Sequence, residues 1–188
     1  MASMLKLIEQ GLVAAVKAAL PDADVESYAG QLDDEHAEWM RRLPCAWVTF
    51  ERALSVKVVG RRRLLKTVRY QILVAQQMHG PNPATRVGDH GQPGLYELLD
   101  ERIQAALLHQ KLGLPIEPLT PGPVQMVAQG YFGNEAAAVM SAGWVTRYQE
   151  EVTAPGAPIN DLLTVGLNYP IKPGDDEPDG ADVVTLNP

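Results

Sequence analysis

Residues that could act as general acids or bases are most concentrated between residues 30 and 43. Asp33, Asp34, Glu35 and Glu38 crowd this stretch, and paired carboxylates can exchange protons in catalysis when burial separates their pKa values. The surrounding residues are polar, which is typical of a solvated loop with room for one helical turn. Because a solvated carboxylate keeps an ordinary pKa, we expect no acid–base site here.

The remaining candidates for chemistry are isolated from one another. The histidines are scattered at His36, His79, His90 and His109. A zinc site needs convergent Cys and His ligands, and Cys45 is the one cysteine of the chain. Asp89 and His90 are adjacent, so they seldom point at a common target, and Ser141 lacks the glycines of a nucleophile elbow. We predict that the protein is not an enzyme and has no metal site and no cofactor.

Length and composition favour one globular domain. The chain has 188 residues, of which 46% are apolar and 21% charged, a balance that permits a sizeable core. No apolar run reaches the roughly 18 residues of a membrane span, so we expect no membrane contact. The lone cysteine cannot form an internal disulfide and suits a reducing cytoplasm.

Two stretches predict helices and five predict strands. Apolar residues at helical spacing predict an N-terminal helix over residues 3–20, capped by Ser3, and a central helix over residues 95–112, ended by Gly113. Strands are predicted at 25–28, 45–54, 64–76, 124–132 and 139–152, of which the first is short. The loop over 79–94 holds so many Gly and Pro residues that no regular element is expected there.

These elements predict an α+β fold with a mainly antiparallel sheet. The strands at 45–54 and 64–76 alternate apolar and polar residues and form a long hairpin with a basic tip. The two helices pack on the sheet, and the three tryptophans are expected in the core or at a subunit interface. We predict one domain over residues 1–153 and an acidic, Pro/Gly-rich extension over 154–188, extended or disordered without a partner.

Charge is unevenly distributed along the chain. The net charge is −7, yet nine basic residues fall between Arg41 and Arg69. Arg61, Arg62 and Arg63 could bind an anion, although a solvated hairpin tip has the same sequence pattern. The overall acidity of the chain and the lack of a recognisable DNA-recognition helix disfavour sequence-specific DNA binding.

The order of elements and several local strings resemble the tail terminator proteins of Mu-like contractile-tailed phages and prophages. The matching strings are Leu7-Ile8-Glu9, Leu43-Pro44-Cys45-Ala46-Trp47-Val48, Val68-Arg69-Tyr70-Gln71-Ile72-Leu73-Val74, Gly94-Leu95-Tyr96-Glu97-Leu98-Leu99-Asp100 and Leu107-Leu108-His109-Gln110. The resemblance covers about residues 4 to 153. The acidic extension has no counterpart in it.

The resemblance implies a structural protein that forms a homo-oligomeric ring, a hexamer, on the head-proximal end of the tail tube. The ring would stop tube polymerisation and offer a surface to the neck, or head–tail connector, protein. The implied partners are therefore the chain itself, the tube protein, the neck protein and the sheath, with DNA only as passing cargo. The protein would lie in the host cytoplasm during assembly and in the virion tail afterwards.

A ring contact joins two different surfaces of each subunit, and the charge distribution offers one candidate pair. We hypothesise that the basic tip meets an acidic loop of a neighbouring surface. The residues concerned are Arg61, Arg62, Arg63 and Lys66 on the tip and Asp33, Asp34 and Glu35 in the loop.

Three alternatives remain open. A head–tail connector or neck completion subunit would share most of these features. A small ligand-binding or enzymatic α+β domain would place its site in the 79–94 loop and would need a deep pocket with convergent polar groups. A nucleic-acid-binding accessory protein would use the basic residues from Arg61 to Arg69 and would bind DNA with a steep salt dependence.

Overall fold

The computed structural model describes residues 3–33, 38–78, 82–89, 91–132, 135–152, 164–169 and 180–185. The chain divides into two compact units, Met1–Val152 and Thr153–Pro188. In the described part of the chain, no helix is long and apolar enough to cross a bilayer. The fold of the first unit is α+β, as the sequence predicted.

The first unit is built on a five-stranded sheet in the order β1-β2-β3-β7-β6. Its strands are β1 (Asp24–Ser27), β2 (Cys45–Gly60), β3 (Arg63–Gln77), β6 (Thr120–Phe132) and β7 (Glu135–Glu151). β1 pairs with β2 in parallel, and every other pairing in this sheet is antiparallel. The long β2–β3 hairpin of the sequence prediction is confirmed, although β2 extends six residues beyond the predicted end at Leu54.

Two helices cover one face of the sheet. α1 (Met4–Ala19) buries Ile8, Leu12 and Val16, as its spacing predicted, and Ser3 precedes it without a capping side-chain hydrogen bond. The central helix has a π-helical segment, Glu97–Ile103, and an α-helical segment, Gln104–Leu107. The Tyr70 hydroxyl on β3 donates to the carbonyl oxygen of Leu5 at 2.9 Å, which ties α1 to the sheet.

The central helix is shorter than predicted. It ends at Leu107 rather than at residue 112, because Leu108 leaves the helix and His109 takes a left-handed backbone, φ 61°. The His109 amide then donates to the carbonyl oxygen of Leu119 at 3.0 Å. Gly113, predicted to end the helix, lies in the following turn at φ 70°.

The prediction that residues 79–94 hold no regular element is wrong for the described part of that stretch. A short helix, α2 (Asn82–Val87), is followed by the paired strands β4 (Gly88–Asp89) and β5 (Gln92–Pro93). Glycines permit this tight hairpin, since a Cβ built on Gly94 would lie 2.3 Å from the Gly88 amide nitrogen. His79 and His90 lie outside the described residues.

The core lies on both faces of the sheet. On the helix side, apolar residues of β2, β3 and β7 pack against α1 and the central helix. On the opposite side, a 3₁₀ helix (Glu38–Arg42) covers one end of the sheet with Trp39 and Met40. Trp39 packs edge-on against Trp47 at a ring-centroid distance of 5.5 Å. Trp39, Trp47 and Trp144 are 1%, 1% and 2% exposed, which confirms the core interpretation for all three.

The second unit contains two paired strands that the sequence did not predict. β8 (Thr164–Tyr169) pairs antiparallel with β9 (Gly180–Thr185). The average composition of residues 154–188 is too polar for a core, but two short stretches of β-branched and apolar residues within it are sufficient for a strand pair.

Candidate interaction surfaces

The part of the β2–β3 hairpin beyond the helices, residues 50–67, is called the distal hairpin here. Its first strand contains three bulges, at Glu51, Leu54 and Val59, where β2 has one residue more than β3. Arg61 and Arg62 form the turn, and Gly60 pairs with Arg63 across it. β7 continues along β3 to Glu151, so among the described residues a neighbouring strand supports the distal hairpin on its β3 side only.

On the helix-side face of the distal hairpin, β2 carries a row of exposed apolar side chains. Phe50, Val56 and Val58 pair with residues of β3 whose side chains lie on that face, and they are 38%, 54% and 78% exposed. Leu54 and Val59, at the bulges, are also exposed. An apolar row of this kind on an otherwise well-packed domain marks a contact surface.

The opposite face of the distal hairpin is polar and internally paired. The Gln71 side-chain amide donates to Glu51 Oε2 at 2.8 Å, and Arg69 Nη1 lies 3.5 Å from Glu51 Oε1. The Ser55 hydroxyl donates a hydrogen bond across the two strands to Thr67 Oγ1 at 3.1 Å. Within the distal hairpin, β2 therefore has one apolar and one polar side.

The basic tip contains one residue that is already paired and three that are not paired within the described chain. Lys66 binds Glu150 of β7, and this hydrogen bond raises the pKa of the Lys66 ammonium. Arg61 and Arg63 are exposed and Arg62 is half-buried, and none of them has an ion pair with a described residue. Their positive charge is therefore available to another molecule.

The acidic half of the hypothesised contact is only partly described. Gln31–Asp33 forms a 3₁₀ turn, whereas Asp34 and Glu35 lie outside the described residues. Among the described contacts, no acidic residue of this loop meets the basic tip. The pairing of tip and loop between subunits stays a prediction.

A second exposed apolar row lies on β6, at the far edge of the same sheet. Val124, Met126 and Tyr131 are 46%, 36% and 82% exposed. They pair with Ala142, Met140 and Ala136 of β7, so their side chains also lie on the helix side. The sequence pattern predicted β6 as a strand, but it predicted neither this row nor the apolar row of the distal hairpin. The run Val56 to Val59 was the available signal.

Groups that could have supported chemistry are dispersed or buried. Burial raises the pKa of the Cys45 thiol to about 12, with a further contribution from the charge of Asp24, so the thiol is neutral and inert. Ser141 is 2% exposed on β7. Across the described ranges, no cluster of three potential metal ligands occurs.

One open cleft lies between α1 and the loop that follows the central helix. Gly11 and Ala14 of α1 line the cleft, and its ionisable lining residues are His109 and Lys111. The cleft is wide and shallow, and these two side chains alone make no nucleophile–base pair. It does not resemble an enclosed substrate site.

A comparison with protein families matches residues 4–149 to the family described as Bacteriophage Mu, Gp37. The chain belongs to the bacteriophage Mu Gp37 family. This membership indicates a phage structural protein, a component of the virion, and a structural rather than a catalytic role. No curated protein matches the chain. The Gp37 match runs from α1 to β7, so it includes the distal hairpin and ends before the second unit.

Proposed function

We propose that this Gp37-family protein caps the head-proximal end of a phage tail tube as a ring of six identical subunits. The ring stops addition of tube subunits and presents a new surface to the neck protein. The sheath contacts the outside of the ring, and DNA passes through it. The observation that carries the proposal is the uncovered distal hairpin, in a chain that belongs to a phage family.

The shape and chemistry of the distal hairpin support a role in assembly. It extends the sheet beyond both helices, with an apolar side that is uncovered in the single chain and a tip bearing three arginines. Apolar surface drives association, whereas exposed charge selects the partner and its orientation. A surface of this kind fits another protein better than a small ligand.

Tail capping can be tested with the purified protein and the tube subunit of the same phage. Tubes are polymerised with increasing amounts of the protein, and their lengths are measured by negative-stain electron microscopy. We expect tubes to stop growing, with a ring visible at one end. Unchanged tube lengths at saturating protein would contradict the proposal, and binding to isolated necks alone would favour the connector alternative.

The basic tip is tested in the same assay with the variant R61E/R62E/R63E. Arg61 and Arg63 are exposed, Arg62 is half-buried, and none has an ion pair with a described residue. The variant should therefore fold normally, and we expect capping to require at least tenfold more protein. The matched control is K6E/K17E/K111E, which makes the same change in net charge at exposed positions outside the distal hairpin. Equal capping by both variants would exclude the tip from the contact.

A further inference from the structure

Exposed apolar side chains of the described chain are concentrated on two strands. Nine of the thirteen large exposed apolar residues lie on β2 or β6. Those on β2 are Phe50, Leu54, Val56, Val58 and Val59, and those on β6 are Val124, Met126, Val127 and Tyr131. β2 and β6 lie toward opposite edges of the same sheet, so each subunit carries two separate apolar edges.

Both strands also have an open backbone edge in the described chain. β1 pairs only with Cys45 to Val48 of β2, which leaves residues 49–60 without a strand on their outer side. β6 is the last strand in the sheet order and has 13 residues. Apart from Pro121 and Pro123 of β6, which have no N–H group, the outward-facing N–H and C=O groups along such edges are free to pair with another strand.

The register places both apolar edges on the same face of the sheet. Val56 and Val58 lie opposite Lys66 and Leu64, and β3 residues of even number lie on the helix side, as the burial of Tyr70 beneath α1 shows. Val124 and Tyr131 have the same orientation through their partners on β7. If the sheet continued from one subunit to the next, the two apolar rows would therefore meet.

Strand direction is also compatible with such continuation. Three successive antiparallel pairings separate β2 from β6, so the two strands run in opposite directions. A neighbouring copy in the same orientation would place its β6 antiparallel to β2, which is the pairing used in the rest of the sheet. Thr120–Phe132 contains no charged residue, so β6 does not repel the charges of the distal hairpin.

We infer that a second copy of this chain lays its β6 edge on the outer edge of the distal hairpin. The partner is the chain itself because the two edges match each other in side-chain face and in strand direction. A contact between two β2 edges would leave both β6 edges open, whereas a head-to-tail contact covers both edges of every copy when the rotation between copies closes a ring. This inference rests on the proposed function, because it names the contact that forms the ring.

The experiment uses two full-length variants, each of which damages one edge. V56D/V58D places charge on the distal hairpin, and V124D/Y131D places it on β6. All four positions are exposed, so both variants should keep the circular dichroism spectrum and thermal midpoint of the wild type. The matched control, V87D/L108D, changes two exposed apolar residues that lie outside the sheet.

Each variant is first studied alone by sedimentation velocity over a concentration series. We expect at least a tenfold loss of self-association for either edge variant and none for the control. The two edge variants are then mixed in equal amounts. Each retains one intact edge, so the mixture should form a one-to-one dimer that grows no further.

Other results would overturn the inference. Rings formed by either edge variant alone would exclude the contact, and dimers formed by V124D/Y131D alone would indicate a β2–β2 contact. If the wild type assembles only on tube ends, the variants are compared there, and capping equal to wild type would exclude the contact. Rings that depend on both edges but fail to stop tube growth would sustain this contact and refute the proposed function.

Discussion

The two halves of β2 differ in cover although they belong to one continuous strand. Cys45 to Val48 are buried on both faces, beneath α1 on one side and beside Trp39 on the other. From Phe50 to Gly60 the same strand is mostly exposed and, in the described part of the chain, pairs with no strand on its outer side. Burial along this strand is therefore decided by what packs on it and not by its own composition, since the exposed half contains four valine and leucine residues.

The covered half holds the fold together, and the distal half is free for assembly. A substitution in the covered half removes packing that the monomer needs. A substitution in the distal half changes a surface that other molecules can reach, with little effect on the monomer. Measurements of the unfolding free energy of the isolated chain test directly whether the two halves of β2 differ in this way.

The largest effect is expected for Trp47→Ala. Trp47 is 1% exposed and packs edge-on against both Trp39 and Tyr28, so its removal leaves a large cavity. We expect the free energy of unfolding, measured in urea, to fall by about 3–5 kcal/mol. Val58→Ala in the distal half should change it by less than about 0.5 kcal/mol. Equal losses for the two variants would mean that the halves do not differ.

A smaller effect is expected from the buried thiol at the start of β2. Burial raises the Cys45 pKa from 9.0 to about 12, so the thiol of the unfolded chain ionises at a lower pH than that of the folded chain. Its contribution to stability is complete below pH 9 and is lost as the pH rises toward 12.

The measurement is the unfolding free energy as a function of alkaline pH, for wild type and Cys45→Ala. We expect the wild-type curve to fall more steeply above pH 9, by up to about 1.4 kcal/mol per pH unit. Burial raises the pKa of Tyr70 as well, so some alkaline loss persists in the variant. Parallel curves would show that the thiol ionises equally in both states.

The smallest effect is expected for the ion pair that joins β3 of the distal hairpin to β7. Lys66 and Glu150 are partly exposed, with side-chain exposures of 24% and 34%, and such pairs contribute about 1 kcal/mol or less. Lys66→Met should therefore lower the unfolding free energy by no more than about 1 kcal/mol, and high salt should reduce the difference. A loss comparable to that of Trp47→Ala would place Lys66 in the structural core instead.

Much of the fold could be predicted because its signals are local. The spacing of Ile8, Leu12 and Val16 determines the buried side of α1, and alternation along β3 identifies its helix-side face. The end of the central helix could not be predicted in this way. The left-handed backbone at His109 and its hydrogen bond to Leu119 involve a segment ten residues away.

The candidate surfaces were predicted only in part. Charge is visible in the sequence, so the arginines at the hairpin tip were identified, whereas the ion pair that engages Lys66 depends on the register between β3 and β7. The apolar rows were missed because a valine on a strand has the same sequence pattern whether or not a helix covers it.

The helix or strand type of the main elements, the basic hairpin and the lack of a catalytic motif follow from the amino-acid sequence, because they depend on residue type and short spacing. Which apolar residues stay exposed follows instead from how the elements pack. The helices end before the distal hairpin, and β6 is the final strand of the sheet. Exposure is a property of the packed arrangement, since it depends on neighbours that are distant in the chain.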